Sequence, residues 1–229
     1  MLKLLFKKSI SGIRESNQDS FLYKELQGDI LVGVADGMGG GVMGKELSKK
    51  ALEILDNLFI EPTHYPLPKL KEAVFEINDR LKELLNNQKG GTTLSAIYYK
   101  EGLLYYITIG DSRVWVCSED RVIFLTKDQN LYEYNKLNRH QTSKDDKRLV
   151  YRILGISSNK EIEDILSNRE WLATGVYETK KDDIILLSTD GFHDYVLDNK
   201  VCNSLESSFE YATYISNDNI TLIALKEQF

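Results

Sequence analysis

The chain has 229 residues, of which 42% are hydrophobic and 28% are charged, and its formal net charge at pH 7 is −6. This length and apolar fraction suffice for one sizeable hydrophobic core, so we expect a single domain over residues 1–229. The acidic balance argues against a broad nucleic-acid surface, which would need clustered Lys and Arg, and no stretch is long and apolar enough to span a bilayer.

The N-terminal segment and the two cysteines indicate a cytoplasmic protein. The apolar stretch within residues 1–8 is too short for the hydrophobic region of a signal peptide, and no cleavage site follows it. Cys117 and Cys202 form neither a disulfide framework nor a metal-binding spacing, which suits a reducing compartment. We therefore expect both to be ordinary packing residues.

The first half of the chain is predicted to contain a strand, a glycine-rich turn and two helices. Residues 29–35 are apolar enough for a buried strand, and residues 37–44 form the turn. Apolar side chains then recur every three or four positions over residues 43–60 and, after three prolines, over residues 70–84. This spacing predicts two amphipathic helices, each packed on one face.

The middle of the chain is rich in β-like sequence. Four runs of this kind follow one another, at Thr92 to Tyr99, Leu103 to Ile109, Arg113 to Cys117 and Arg121 to Leu125. Connections such as Glu101-Gly102 and Glu119-Asp120 are short enough for hairpins, which predicts an antiparallel meander.

The last third of the chain is more mixed. Short helices are predicted near residues 145–154 and 161–167, and strands over residues 183–189 and 219–226. Because the strand groups and the helices are separated along the chain, we expect an α+β layered domain and not alternating βαβ units.

Four aspartates at the boundaries of apolar runs indicate the chemistry. Asp36, Asp111 and Asp190 each end such a run, and Asp218 stands just before another. Strand ends can bring carboxylates together, and a cluster of like charges raises its own pKa values unless a cation neutralises it. The pattern therefore predicts a site for hard divalent metal ions.

The histidines give no sign of a zinc or iron site. His64, His140 and His193 are the three histidines, and none of them stands at ligand spacing. All candidate ligands are oxygen atoms, so Mg²⁺ or Mn²⁺ is favoured.

The glycine turn also matches a nucleotide-binding pattern. Gly39, Gly41 and Gly44 fit G-x-G-x-x-G between a predicted strand and a predicted helix. However, Asp36 would face the pyrophosphate, and a second helix follows where a parallel strand should come. We prefer a tight turn beside a metal ion, with the carbonyl oxygen of Gly37 available as a ligand.

With these motifs the chain resembles the metal-dependent protein serine/threonine phosphatases of type 2C, in their compact bacterial form. Eight motifs follow in the family's order: Arg14-Glu15-Ser16-Asn17-Gln18-Asp19-Ser20-Phe21, Val34-Ala35-Asp36-Gly37-Met38-Gly39-Gly40, Gly91-Thr92-Thr93, Gly110-Asp111-Ser112-Arg113, Leu125-Thr126-Lys127-Asp128, Arg152-Ile153-Leu154-Gly155, Ser188-Thr189-Asp190-Gly191 and Asp218-Asn219-Ile220-Thr221. The resemblance implies one catalytic domain over residues 1–229. Its expected fold is a four-layer α-β-β-α sandwich of two antiparallel sheets flanked by helix pairs.

The resemblance also implies a two-metal site that hydrolyses phosphoserine and phosphothreonine in proteins. Asp36 would bridge two Mn²⁺ or Mg²⁺ ions, Gly37 would ligate one through its carbonyl, and Asp190 and Asp218 would hold the other. The ions would activate a water for direct attack on phosphorus, with no covalent intermediate.

Further residues receive supporting roles from the resemblance. Arg14 would clamp the phosphate with its planar guanidinium, and Asp19 would hold metal-bound waters. Asp111 and Asp194 resemble residues that bind a third, weaker ion in bacterial relatives. Expected partners are phosphorylated proteins, opposite a Ser/Thr kinase; we expect a monomer that binds neither nucleic acid nor membrane.

Some residues depart from the family pattern. Gln18 stands where many relatives have Glu, Met38 where several eukaryotic relatives have a proposed general acid, and Gln129 where His is usual. The segments after Leu125 and between Asp190 and Asp218 are short for the family, so the elements that contact substrate are expected to be reduced.

Other interpretations remain at this point. A lone strand-end Asp often caps a turn, and Arg14 could form a surface ion pair. A cysteine phosphatase is excluded because Arg does not stand six residues after Cys117 or Cys202. The remaining alternative is a catalytically silent phosphoprotein-binding or regulatory module on the same fold.

Overall fold

The computed structural model describes residues 1–119 and 121–228. The strands, in chain order, are β1 (Leu2–Ile10), β2 (Asp19–Leu26), β3 (Asp29–Met38), β4 (Gly91–Thr92), β5 (Leu94–Lys100), β6 (Leu103–Ile109), β7 (Arg113–Ser118), β8 (Arg121–Phe124), β9 (Thr174–Glu178), β10 (Ile184–Ser188) and β11 (Ile220–Glu227). The helices are α1 (Gly41–Leu58), α2 (Pro66–Leu85), α3 (Leu131–Leu137), α4 (Asn159–Ser167), α5 (Asp190–His193), α6 (Asp198–Val201) and α7 (Leu205–Ile215). Short 3₁₀ helices cover Lys144–Arg148 and Arg169–Trp171.

The strands form two antiparallel sheets. The first has the order β1-β11-β10-β7-β8, and the second has the order β2-β3-β5-β6-β9, with the short strand β4 paired to β3. Neighbours such as β3 and β5 are separated in the chain by both long helices, so the sheets depend on contacts between distant segments.

Three apolar clusters divide the fold into four layers. One lies between the second sheet and the pair α1 and α2, a second lies between the two sheets, and a third lies between the first sheet and α5–α7. The predicted α-β-β-α sandwich is therefore confirmed. The two outer layers differ, because α5 and α6 have four residues each and α7 is the longer helix on that side.

The two long helices confirm the amphipathic pattern. α1 buries Leu47, Ala51 and Leu55, and α2 buries a stripe that includes Leu70 and Ile77. Pro in the first turn of α2 starts the helix early, because a proline there loses no hydrogen bond that the helix would otherwise make.

The predicted meander is wrong. β5 pairs with β6 and β7 pairs with β8, but β6 and β7 belong to different sheets. Residues 110–112 carry the chain across, and Gly110 has a φ of 104°, which an L side chain rarely adopts. The predicted turn at Glu119-Asp120 includes one residue, Asp120, that lies outside the described ranges.

Several elements differ from the sequence prediction. β1, β2, β9 and α7 were not predicted, and the helix expected over residues 145–154 is only the 3₁₀ turn at Lys144–Arg148. The helix expected over residues 161–167 begins earlier, at Asn159, because Ser158 and Glu161 form a capping box.

The expectation that both cysteines are unpaired packing residues is wrong, because Cys117 and Cys202 form a disulfide. Their Cα atoms lie 5.5 Å apart although 85 positions separate them in sequence. Cys117 is on β7, and Cys202 directly follows α6 and packs against the apolar cluster between this sheet and α5–α7. The disulfide also removes the argument for a reducing compartment that rested on unpaired cysteines.

The length and apolar character of the helices bear on whether the chain could cross a membrane. Across residues 1–119 and 121–228, none of the helices combines the length and the apolar character that a bilayer crossing requires.

We predict that the disulfide stabilises the fold by about 2–4 kcal/mol, because it cross-links residues that are distant in the chain and so restricts the unfolded state. Urea unfolding of the parent should shift to lower urea on reduction. Cys202→Ser should behave like the reduced parent and should not respond to the reductant. Unfolding of the parent that is the same with and without reductant, with both thiols free to alkylation, would contradict the pairing.

Candidate active site

A cleft of about 430 Å³ lies where the ends of both sheets meet. The side chains or backbone of most predicted site residues line it: Arg14, Asp36, Gly37, Asp111, Asp190, Asp194 and Asp218. Gln18 and Arg148 also line the cleft, whereas Asp19 lies buried beside it. The structure therefore brings together residues that are spread over most of the chain.

Asp19 and Asp36 face each other across neighbouring strands. They are directly paired in the register between β2 and β3. Two like charges in this relation destabilise a sheet. One oxygen of Asp19 accepts hydrogen bonds from the hydroxyls of Thr189 (2.8 Å) and Thr221 (2.7 Å), while the other, Oδ1, is buried without a partner.

The backbone of Asp36 is held by two threonines. The Asp36 amide donates to Thr93 Oγ1 (2.9 Å), and the Asp36 carbonyl accepts from the Thr92 hydroxyl and the Thr93 amide, both at 2.9 Å. These bonds use the main chain of Asp36 and leave its carboxylate free. Thr92 and Thr93 are thus packing and positioning residues.

The turn after Asp36 depends on the absence of a side chain. A Cβ atom on Gly37 would lie 1.9 Å from the carbonyl oxygen of Gly44, and one on Gly44 would lie 2.1 Å from Gln18 Oε1. The glycines therefore allow the start of α1 to approach the end of β3. The strand is followed by two helices and an antiparallel strand, so this turn is not part of a parallel βαβ unit.

A second close approach brings Asp190 to Asp218. A Cβ atom on Gly191 would lie 1.9 Å from the carbonyl oxygen of Asn219. Asp190 is the first residue of α5 and follows β10, while Asp218 precedes β11, the neighbouring strand. Asp190 Oδ1 is buried and has no hydrogen-bond partner.

Asn219 fixes the loop that carries Arg14. Its side chain accepts from the Gln18 amide (2.9 Å) and donates to the carbonyls of Ser11 and Ser16, both at 3.0 Å. This role was not predicted, although Asn219 stands inside a quoted motif. An amide side chain directly after an aspartate that is predicted to bind a metal ion is the signal that could have identified it.

Arg14 is paired with a carboxylate of the cleft. Its guanidinium donates to Asp218 Oδ2 at 2.8 Å, and its side chain is 50% exposed. Arg14 thus forms an ion pair, as the alternative interpretation allowed, but its partner is a carboxylate of the cleft. The pair also places the guanidinium at the mouth of the cleft, where it could contact a ligand.

Asp111 lies on the segment that links the two sheets. Gln129 positions this segment, because it accepts from the Gly110 amide (2.9 Å) and donates to the Thr108 carbonyl (3.0 Å). Asp111 is buried, and neighbouring Ser112 is hydrogen-bonded through its hydroxyl to Thr93 (2.7 Å). The loops of Asp36 and Asp111 are therefore connected directly.

Asp194 lies farther out on the same side. Its carboxylate is 3.7 Å from Arg113, which also forms a two-point ion pair with Asp128, both contacts being 2.6 Å. Asp194 is exposed compared with Asp111. The two residues predicted for a third ion thus flank the central carboxylates.

Burial and mutual repulsion raise the pKa values of the central carboxyl groups. Burial, opposed by bonds from two threonines, raises the pKa of Asp19 to about 6. Burial and then the charges of Asp218 and Asp19 raise the pKa of Asp190 to about 7. Burial, followed by neighbouring carboxylates, raises the pKa values of Asp36 and Asp111 well above the ordinary range.

His193 has a different environment. Its Nδ1 lies 2.9 Å from Ser188 Oγ, and its Nε2 is buried without a partner. Burial and then the charge of Arg113 lower its pKa well below the usual value. His193 is therefore a buried ring with a lowered pKa, three residues after Asp190.

The carboxylates are close enough to interact but do not form a finished metal cage. Across residues 1–119 and 121–228, no three His, Cys, Asp or Glu side chains are arranged as ready-made ligands. Asp218 pairs with Arg14. Asp19 Oδ1 and Asp190 Oδ1 are buried and accept no hydrogen bond from the described residues, so these two oxygens suit a cation or a water of hydration.

Arg148 is a cleft residue that the sequence analysis did not identify. It ends the 3₁₀ turn Lys144–Arg148 and is exposed, yet it lines the same cleft as the carboxylates. No local pattern distinguishes it from its basic neighbours Lys144 and Lys147. Only the return of this segment over the sheet ends brings it to the site.

Residues 12–227 match the protein phosphatase 2C family. The chain belongs to this family. The resemblance to the type 2C serine/threonine phosphatases, which was inferred from the eight motifs, is therefore confirmed.

Curated relatives of the chain are bacterial members of the same family. The serine/threonine protein phosphatase PstP of Mycobacterium tuberculosis is 30% identical over 204 residues, covering 85% of this chain and 37% of that protein. The serine/threonine phosphatase stp of Listeria welshimeri is 24% identical over 248 residues, covering 96% of this chain and 94% of that protein. The chain thus spans little more than a third of PstP but nearly all of stp.

A solved structure shows the same fold. The catalytic domain of PstP, determined in complex with two manganese ions, superposes with a TM-score of 0.81 at 24% identity, and the match covers 100% of both chains. This likeness shows that the four-layer sandwich is the phosphatase 2C fold.

We predict that the metal-free protein loses stability as pH rises from about 4 to about 7. The folded-state pKa values of Asp19 and Asp190 lie above the ordinary value of 3.8, so folding binds protons in this range and their stabilisation is lost as each group ionises. Asp190→Asn should raise metal-free stability at pH 8 by about 1 kcal/mol or more, because it removes one repelling charge.

The measurement is urea unfolding in chelator across this pH range. Glu163→Gln, which removes an exposed carboxylate on α4, is the matched control and should follow the parent. A parent that becomes more stable between pH 4 and pH 7, or an Asp190→Asn variant less stable than the parent at pH 8, would contradict the cluster.

Proposed function

We propose that this protein is a metal-dependent phosphatase that hydrolyses phosphoserine and phosphothreonine in proteins. The observation that carries the proposal is the convergence of Asp36, Asp111, Asp190 and Asp218 in one cleft, with raised pKa values for the first three. Membership of the phosphatase 2C family and the names of the relatives supply the reaction and the substrate class.

The donor set suits hard divalent cations. Every candidate ligand is a carboxylate or carbonyl oxygen, and Asp190 has a buried oxygen with no other partner. A pair of Mn²⁺ or Mg²⁺ ions would be held by Asp36, shared between them, by the carbonyl oxygen of Gly37, and by Asp190 and Asp218 on the side of the second ion. When bound, such a pair supplies positive charge for the phosphoryl oxygens and lowers the pKa of an attacking water.

Three further aspartates would support this site by binding waters of hydration or an additional ion. Asp19, fixed by Thr189 and Thr221, presents its free oxygen toward the Asp36 side, where it can accept hydrogen bonds from waters of hydration. Asp111 and Asp194 are assigned to a third, weaker ion, because they flank the central group and offer only two carboxylates. Attack by water requires no covalent intermediate, and the cleft holds no Cys nucleophile among its lining residues.

Arg14 is assigned to phosphate binding. A cation at Asp218 would replace the charge that Arg14 now supplies, and the half-exposed guanidinium could then turn its two parallel donors to a phosphoryl group. The family resemblance supports this assignment, and the position of Arg14 at the cleft mouth agrees with it.

The remaining expectations stay predictions. They are a single catalytic domain over residues 1–229, a monomer, an opposing Ser/Thr kinase, no binding to nucleic acid or membrane, and a cytoplasmic location. The silent phosphoprotein-binding module is the second candidate, and the presence of Asp36, Asp111, Asp190 and Asp218 disfavours it.

We predict that hydrolysis of a phosphothreonine peptide requires Mn²⁺ or Mg²⁺, because ionised carboxylates alone would repel the phosphate. Chelated protein should be inactive, added Mn²⁺ should restore turnover, and Asp36→Asn and Asp190→Asn should remain inactive. Phosphate release is the measurement, and Glu163→Gln should retain parental activity.

Undiminished turnover after exhaustive chelation would rule out the metal assignment. Absence of turnover with Mn²⁺, together with tight binding of the phosphopeptide, would instead establish the silent binding module.

We predict that Arg14→Ala lowers kcat/KM for the phosphopeptide by about 30-fold, mainly through KM, which corresponds to about 2 kcal/mol for a charge-assisted pair. Arg14→Lys should recover only part of the loss, because Lys lacks the planar fork. Calorimetric Mn²⁺ titration should show that the tight ions still bind. Parental kinetics for Arg14→Ala would limit Arg14 to its ion pair with Asp218.

A further inference from the structure

A second cavity adjoins the cleft and is not used by the proposed reaction. It has a volume of about 500 Å³ and lies between the strand pair β7–β8, the segment of residues 127–147 and the end of α5. Asp194 lines both this cavity and the catalytic cleft, so the two are neighbours. We call it the side cavity.

A buried ring nitrogen without a hydrogen-bond partner lies in the wall of the side cavity. Trp115 Nε1–H donates to Ser188 Oγ at 3.1 Å, and Ser188 Oγ lies 2.9 Å from His193 Nδ1. A hydroxyl has two lone pairs and one hydrogen, so Ser188 can accept from Trp115 and also donate to His193 Nδ1, which allows the neutral ring to carry its proton on Nε2. Nε2 is buried and unpartnered although His193 lines the cavity.

An oxygen acceptor in the cavity would hold the ring proton on Nε2 and pair with it. The ring is only 4% exposed, and a buried polar atom left without a partner destabilises the fold. Since Nδ1 faces Ser188 on the core side, Nε2 lies on the opposite side of the ring. A ligand oxygen in the cavity would complete the chain of hydrogen bonds that begins at Trp115.

The charges of the side cavity favour an anion. Four cationic side chains line it with three carboxylates: Arg113, Lys127, Lys136 and Lys147 with Asp128, Glu133 and Asp194. All three carboxylates already have cation partners, since Arg113 pairs with Asp128 and Asp194 and Lys136 pairs with Glu133. Lys127 and Lys147 form no ion pair within the part of the chain that the structure describes, although Lys147 lies over the ring of Tyr132.

We propose that the side cavity is a subsite for a second anionic side chain of the phosphoprotein substrate, held by His193 Nε2–H, Lys127 and Lys147. The proposal rests on the phosphatase function, because it places the scissile phosphate in the neighbouring cleft. It assigns a preference for segments in which another phosphorylated or acidic residue stands near the phosphothreonine. A phosphate or a carboxylate supplies the same oxygen acceptors.

The test compares peptides that differ at one residue. Each carries phosphothreonine, and successive positions on either side receive Ala, Glu or a non-hydrolysable phosphonate analogue of phosphothreonine. We expect one position at which the phosphonate raises kcat/KM about tenfold over Ala, through KM, which corresponds to about 1.4 kcal/mol. Glu at that position should give the same gain or a smaller one, and the size of its gain separates carboxylate from phosphate.

Variants decide whether the side cavity causes the gain. The double variant Lys127→Ala and Lys147→Ala should lose it while hydrolysing the Ala peptide like the parent. Lys144→Ala, which removes a neighbouring exposed lysine outside the cavity, is the matched control and should keep it. His193→Asn should lose part of it, because an Asn oxygen can still accept from Ser188 while the Nε2–H donor is gone.

A turnover-free measurement separates this proposal from the proposed function. A fluorescent peptide with the phosphonate and no phosphothreonine should bind the parent, by anisotropy, more tightly than it binds the double lysine variant. If the Ala peptide were not hydrolysed, the phosphatase function would fail while this binding still tested the subsite. The subsite is overturned if no position gives a gain, if the gain or the binding survives in the double variant, or if only inorganic phosphate binds there.

Discussion

The structure depends on holding like charges together. Asp19 and Asp36 are opposed on β2 and β3, and Asp190 and Asp218 come together where β10 and β11 meet their loops. These positions are fixed by backbone contacts that leave no room for adjustment, since a side chain at Gly37 or Gly191 would lie within 2 Å of a carbonyl oxygen. Proton uptake or a bound cation can therefore relieve the repulsion more cheaply than movement of the strands.

The residues that hold the cluster in place are mostly uncharged. Thr92 and Thr93 bond the backbone of Asp36, Gln129 bonds the segment of Asp111, and Asn219 bonds the loop of Arg14. A neutral group can satisfy a backbone amide or carbonyl without neutralising the carboxylates beside it. Lysines or arginines in these places would have competed with a metal ion for the same oxygens. Arg14, which pairs with Asp218, is half-exposed and so can leave this carboxylate at little cost.

The sequence predicted those features that a local residue pattern determines. The stripes of α1 and α2 follow from apolar spacing, and aspartates at strand ends indicated the cleft before any contact was known. Contacts between segments that are distant in the chain have no comparable local pattern. β1 is a mostly exposed edge strand whose alternation is broken by an irregularity between Leu4 and Phe6. The bond between Cys117 and Cys202 joins segments 85 residues apart, and the crossing from β6 to β7 shows only as one glycine at position 110.

The residues of the reacting centre and the residues that would contact a substrate stand on different parts of this fold. The central carboxylates stand on strands and tight turns of both sheets, so their geometry follows from the sandwich itself. The walls around them come from residues 127–148 and from the end of α5, where short helices and loops meet and where exposed basic residues such as Arg148 and Lys147 stand. Substitutions of the exposed residues in those walls would not disturb the sheets, because their side chains are not part of the three apolar clusters. The charge and length of the wall segments can therefore change the choice of phosphoprotein while the strands keep the reacting centre unchanged.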